Sequence, residues 1–97
     1  MARNYWKEIP GSMFDFTGYY KSIAEQLPNR CRIVEVGVAD GKSAIYLAEA
    51  LLNLGKTFEM FMIDNCGYGG QDQRNEILRH IQKANIGQYV SFFEMDS

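Results

Sequence analysis

The chain has 97 residues, 46% of them hydrophobic and 23% charged, with a formal net charge of -2. That length suits one small domain, residues 1–97, burying about two-thirds of the surface its unfolded form exposes, and the composition excludes disordered, collagen-like and low-complexity classes. The ten basic residues are scattered, with Arg30 and Arg32 the densest local pair, which argues against a nucleic-acid partner.

Residues 1–15 mix aromatics with Pro10 and Gly11 and read as an N-terminal loop region, whose Tyr5 and Trp6 either pack a satellite cluster or lid a ligand. They lack the apolar stretch of a signal peptide, and no apolar run approaches the ~20 residues of a membrane span, so a cytoplasmic location without a membrane partner is expected. Phe16, Tyr19, Tyr20, Ile23, Ala24 and Leu27 recur at helical spacing, and Pro28-Asn29 punctuates the end of that helix. "CRIVEVG" is a β-branched strand that runs directly into a glycine loop. In "KSAIYLAEALLNLG", Ile45, Leu47, Ala48, Leu51 and Leu52 form a broad apolar helix face, and Gly55 stands just past its end. "TFEMFMID" is a strand ending in Asp64, followed by the glycine-rich loop "NCGYGGQD". A third helix is expected from Asp72 to Ala84, with Ile77, Leu78, Ile81 and Ala84 on one face, His80 on the solvated side and Gly87 as the stop. "YVSFFEMDS" is the third strand. Cys31 and Cys66 have neither CxxC nor Cys/His spacing, so they read as free thiols and no metal site is expected.

Strand, glycine loop, helix, acid-ended strand, helix, strand is a βαβαβ unit. Right-handed crossovers make it a parallel, Rossmann-like α/β sheet of strand order 3-2-1, with the first strand at an edge. Yet Ile33, Val34, Val36 and Val38 read as a strand buried on both faces. An apolar edge with unpaired N–H and C=O groups is a template for association.

The chemistry concentrates in "VEVGVADGKSA", residues 34–44. A phosphate-binding G-x-x-x-x-G-K-[ST] loop needs four residues between its glycines. Gly37 and Gly41 enclose three, and Asp40 adds a negative charge where phosphates would sit. A dinucleotide G-x-G-x-x-G loop fails because Ala39 occupies its second glycine position. What remains is a two-glycine turn flanked by Glu35 and Asp40, with Asp64 following 27 positions after Gly37. Such a turn suits a ligand with a ribose and a cationic part but no phosphate. The glycines permit close backbone approach, Asp64 accepts from two ribose hydroxyls, the carboxylates favour an ammonium or sulfonium, and the helix start at Lys42-Ser43 offers N–H groups to a carboxylate. S-adenosylmethionine has all of these features. Each residue also has a simpler role: turn glycine for Gly37 and Gly41, turn cap for Asp64, helix cap for Asp40. Tyr68 is placed to stack near an adenine.

These residues resemble the E/D-x-G-x-x-x-G-x-S cofactor loop of class I S-adenosylmethionine-dependent methyltransferases, particularly the catechol-type small-molecule O-methyltransferases. The likeness extends to the helix before the first strand, the acid-ended "FMID" and the third strand ending "EMDS". It implies that Glu35, Gly37 and Gly41 shape the methionine-end pocket, that Ser43 touches the carboxylate, that Asp64 holds the ribose, and that Asp96 and Ser97 lie near the adenine. It also implies a seven-stranded sheet of which this chain is a truncated, cofactor-binding half, so self-association or a missing C-terminal half is expected as its partner. No catalytic base and no methyl acceptor can be read from these residues. The alternative reading is a non-catalytic nucleoside-binding or assembly module.

Overall fold

The computed structural model describes residues 2–9, 17–37, 41–66 and 70–95. A 3-10 turn at Tyr5–Glu8 precedes α1 (Thr17–Gln26), β1 (Cys31–Val36), α2 (Lys42–Asn53), β2 (Phe58–Asp64), α3 (Gly70–Ala84) and β3 (Val90–Glu94). The three strands are parallel in the order β1-β2-β3, which leaves β1 at an edge as the βαβαβ pattern requires. Within the expected N-terminal loop region, Tyr5–Glu8 form the 3-10 turn and the Ile9 side chain is part of the core, while residues 10–15 lie outside the described residues.

Both crossovers step the same way across the sheet, so right-handedness places α2 and α3 on one face. Met60 and Met62 of β2 and Val90 of β3 lie on that face, packed with Ile45, Leu51, Ile77 and Ile81 from the helices, and α1 adds Ala24. The opposite face carries Val34, Val36, Phe61, Ile63, Phe93 and Met95, and no element covers it among the described residues. Val34 and Val36 are 60% and 53% exposed, which corrects the reading of β1 as buried on both sides. The β-branched run is real, but alternate side chains point to a bare surface. Phe61 and Phe93 gather on it with ring centroids 6.1 Å apart.

The helix ends follow from backbone chemistry. Gly55 has φ 74°, and the Lys56 and Gly55 N–H groups donate to the Leu51 and Leu52 carbonyls at 3.0 Å each, closing α2 in a Schellman turn. The same turn closes α3 at Asn85, φ 58°, and not at Gly87 as the sequence suggested; Asn tolerates the left-handed region better than other side chains do. Lys56 then serves the neighbouring helix. Its ammonium donates to the carbonyls of Ala24, Glu25 and Leu27 at 2.7, 3.0 and 2.6 Å, placing a cation at the negative end of α1.

Two buried polar residues tie the N-terminal segment to the helices. Glu49, on the buried side of α2 and 2% exposed, accepts the Tyr5 N–H at 3.0 Å and the Trp6 N–H at 2.7 Å, so its carboxylate caps the 3-10 turn. His80 is 3% exposed, which overturns its assignment to a solvated side. Spaced three and four residues from Ile77 and Ala84, it completes the core stripe of α3, while Leu78 and, on α1, Tyr19 turn outward. Its Nδ1 lies 2.8 Å from the Tyr5 hydroxyl and its Nε2 faces Glu76 Oε1 at 3.0 Å. Arg3 adds a further tie, donating from Nη1 to the Ala84 and Asn85 carbonyls at 3.0 and 3.2 Å.

Glu49→Ala would orphan two backbone N–H groups and open a void, and is expected to lower stability by roughly 3 kcal/mol, measured by urea denaturation. An effect below about 0.5 kcal/mol would show that water replaces the carboxylate. The bare face beside an unpaired edge predicts self-association. At low micromolar concentration the chain is expected to sediment as more than a monomer, and Val34→Lys to shift it toward the monomer. A monodisperse wild-type monomer would show that the face needs no cover.

Candidate functional site

In a parallel sheet the carboxyl ends of all strands fall on one edge, and here that edge collects the residues singled out by sequence. Glu35, the penultimate residue of β1, points to the helix-covered face opposite Met62 and is half-buried. Burial pushes its carboxyl above the usual glutamate range. Gly37 continues the ladder by one bond, its N–H donating to Ile63 O at 2.8 Å, and then turns the chain with φ 75°. Among the described residues, no atom lies within 4 Å of a Cβ built at Gly37. Gly41 is different. It is buried, with φ 84°, and a Cβ there would stand 3.4 Å from Met62 Cε and 3.8 Å from Ile45 Cδ1.

Gly41 occupies the N-cap of α2 and supplies no side-chain cap. Its carbonyl accepts the first helical N–H, from Ile45, at 2.9 Å. Lys42 and Ser43 fill the first turn, both half-buried, and the Lys42 ammonium lies 5.9 Å from the ring centroid of Trp6. Trp6 meets Tyr46 edge-on at 4.8 Å, so it packs against the first turns of α2.

Asp64 ends β2, one rung beyond the Val36–Ile63 pair and therefore level with Gly37. Its Oδ1 accepts the Cys66 N–H at 2.8 Å, so the turn-cap role is present. Across the next strand it pairs with Glu94, which Arg74 of α3 neutralises at 3.2 Å. These two residues escaped the sequence reading, although Glu94 sits in the same strand-end position on β3 that Asp64 holds on β2. Cys66 lies among them: burial, then Glu94 and Asp64, push its thiol up while Arg74 opposes. Tyr20 of α1 was also missed as a site residue. It is half-buried; burial, then the charge of Glu35, push its phenol up, while hydrogen bonding with Ser43 opposes. The structure thus brings together Glu35, Gly37, Gly41, Ser43 and Asp64. Asp40, Asp96 and Ser97, with Val38 and Tyr68, lie outside the described residues.

A shallow hollow of about 220 Å³ between Arg30, Cys31, Thr57, Phe58 and Glu59 opens at the opposite, amino end of the strands. It is smaller than the range usual for small-molecule sites and holds none of the predicted site residues. Both cysteines are free thiols, and among the described residues no group of three His, Cys, Asp or Glu side chains is arranged to hold a metal. No described helix is long and apolar enough to cross a membrane.

No protein-family model and no curated protein matches this sequence. Solved structures do match. The precorrin-6y C5,15-methyltransferase of Geobacter metallireducens GS-15 superposes with a TM-score of 0.62 at 11% identity, over 89% of this chain and 42% of its own. An uncharacterized protein of Burkholderia thailandensis gives a TM-score of 0.59 at 18% identity, over 99% of this chain and 27% of its own. What is shared is the fold. The chain has a Rossmann-like α/β architecture like that of part of a methyltransferase, and it spans less than half the length of either protein.

The raised carboxyl of Glu35 gives the fold a pH dependence. A folded-state pKa above the unfolded value favours the fold when the group is protonated, and that stability is lost as pH rises from the ordinary glutamate range through the raised value. Glu35→Gln is therefore expected to unfold at higher urea than the parent at neutral pH and at the same urea at acid pH. A variant weaker than the parent at neutral pH would show that ionised Glu35 is held by compensating partners.

Proposed function

We propose that this chain binds S-adenosylmethionine at the carboxyl ends of β1 and β2 and serves as the cofactor-binding part of a methyl-transfer unit. The observation that carries this reading is the pair of left-handed glycines, φ 75° and 84°, between a half-buried glutamate and the start of α2, with Asp64 level with the first of them. Among the described residues no atom crowds Gly37, which suits close approach of a ligand to the backbone. Burial that disfavours an ionised Glu35 leaves a charge that a ligand ammonium or sulfonium would relieve. Asp64 is the ribose acceptor on this reading, Ser43 and the N-terminus of α2 meet the carboxylate, and Asp40, Asp96 and Ser97 are proposed to extend the site. The cofactor supplies an electrophilic methyl. The protein's share is to orient it for in-line attack, which asks little acid-base chemistry of the chain. The methyltransferase fold of the first matched structure supports the reading at the level of architecture.

One observation favours a second reading. His80 is the single histidine of the sequence, and it is buried against Tyr5 and Glu76, so no imidazole is offered as a general base. A non-catalytic nucleoside-binding or assembly module would need none. Binding of S-adenosylhomocysteine by calorimetry, alongside a methyl-release assay, separates the two.

Asp64→Asn keeps an acceptor for the Cys66 N–H while removing the charge. It is expected to weaken S-adenosylhomocysteine binding by roughly 1 to 2 kcal/mol, whereas Asp72→Asn on the exposed first turn of α3 leaves it unchanged. Equal losses from the two substitutions would remove Asp64 from the site.

A further inference from the structure

Residues 3 to 6 run against α2 from its last turn toward its first, with α3 alongside, as a peptide lies in a groove. Asn53 reads the main chain of Arg3 in both directions: the Arg3 N–H donates to its Oδ1 at 2.7 Å, and its Nδ2 donates to the Arg3 carbonyl at 3.0 Å. The Arg3 guanidinium donates to the Ala84 and Asn85 carbonyls at the negative end of α3. Glu49 takes two successive N–H groups, those of Tyr5 and Trp6, and His80 pairs with the Tyr5 hydroxyl. The Trp6 ring meets Tyr46 at 81°, and Ile9 then enters the core.

This is recognition by donor pattern as well as by shape. Glu49 and His80 are buried, so a segment that brings them no paired N–H groups and no hydroxyl leaves buried polar groups unpaired, and that cost separates it from one that does. The guanidinium, the hydroxyl and the large ring together ask for Arg-x-Tyr-Trp, which the chain carries at Arg3, Tyr5 and Trp6. Tyr46, Glu49, Asn53, His80, Ala84 and Asn85 all belong to α2, to α3 or to the turn that closes α3. The groove therefore contains no part of the segment, and an identical segment from another molecule would meet the same groups. Eight peptide steps separate Ile9 from Thr17, a reach of up to about 27 Å, so the segment can leave its own groove without unwinding α1.

We propose that the groove between α2 and α3 is a peptide-recognition site that takes the Arg-x-Tyr-Trp segment of a second copy of this chain, each copy lending its segment to the other. The partner is a copy of the chain because the chain itself carries the complementary segment. Exchange preserves each of the contacts above, so it differs in free energy from the closed monomer mainly through the effective concentration of a tethered segment. It joins two copies through the helical layer, on the side of the sheet away from Val34, Val36 and Phe93, and is therefore separable from association through the bare face. It does not depend on what the glycine turn binds.

Two experiments on the full-length chain test this. In the first, a fluorescein-labelled peptide of residues 2–9 is titrated by anisotropy with the wild-type chain and with Arg3→Ala, whose own segment holds its groove less firmly. Binding to Arg3→Ala is expected to be roughly tenfold tighter, and to be lost when the peptide carries Tyr5→Ala and Trp6→Ala. Equal affinity for the two chains, or no preference over the altered peptide, overturns the site. In the second, Glu49→Gln, with a weakened groove and an intact segment, is mixed with Trp6→Ala, with an intact groove and a weakened segment. Both carry Val34→Lys to suppress association through the sheet, and the protein concentration approaches the roughly millimolar effective concentration of a tethered segment. Sedimentation is expected to show more dimer in the mixture than in either chain alone, with blue-shifted emission from Trp6, the single tryptophan of the sequence. A mixture no more dimeric than its components overturns the exchange between copies. Circular dichroism checks that each variant folds, and Asn53→Ala for the groove or Arg3→Ala for the segment replaces any that does not.

Discussion

Handedness governs this molecule. A right-handed crossover can return a parallel strand in only one way, and two such crossovers taken in the same direction place both helices on the same side of the sheet. From that constraint comes the division of β2 into Met60 and Met62, buried beneath the helices, and Phe61 and Ile63, which look the other way. From it also comes the alignment of Glu35, Gly37, Asp64 and Glu94 along one edge, because parallel strands share their carboxyl ends and α2 begins where β1 stops. The site and the bare face are thus two results of one topological choice.

At the edge, the two glycines meet different demands. Gly37 has room for a side chain and needs glycine for its backbone angle, whereas Gly41 is enclosed by Met62 and Ile45 and holds the helix against the sheet. On the proposed cofactor reading, the first borders the ligand and the second fixes where α2 begins. Glu35 stands between them and the core, where its own burial works against its charge. On the proposed reading, a bound cation would offset the burial that works against this carboxylate.

Much of this was legible in the sequence, and the gaps have a common cause. The stripe of α2, the strand "FEMFMID" and the stop at Gly55 are local signals, carried by periodicities that a window of a few residues contains. Glu49 and His80 could not be read as buried, since their burial depends on Tyr5 and Trp6, which are 43 to 75 residues away in the chain. Composition marks both as surface residues; only the distant partner makes the interior tolerable. Asn85 was passed over for Gly87 because glycine is the commoner left-handed stop, although asparagine is the next. Val34 and Val36 show the reverse error: their β-branched character marks a strand correctly but cannot tell whether a second layer covers it. At the candidate site, Glu35, Gly37, Gly41, Ser43 and Asp64 were singled out from the loop and its spacing. Tyr20, Arg74 and Glu94 were not, because they reach the edge from elements whose patterns announce only packing or charge.

The ties of the N-terminal segment also set an order of events when the chain is made. Arg3, Tyr5 and Trp6 leave the ribosome before α2 and α3, yet their partners are Glu49 on α2, and His80, Ala84 and Asn85 at the end of α3. Contacts so far apart in sequence form only after most of the loop-closure entropy has been overcome. Made before their partners, these residues are therefore among the last to settle, and the 3-10 turn closes like a clasp over helices that have already met.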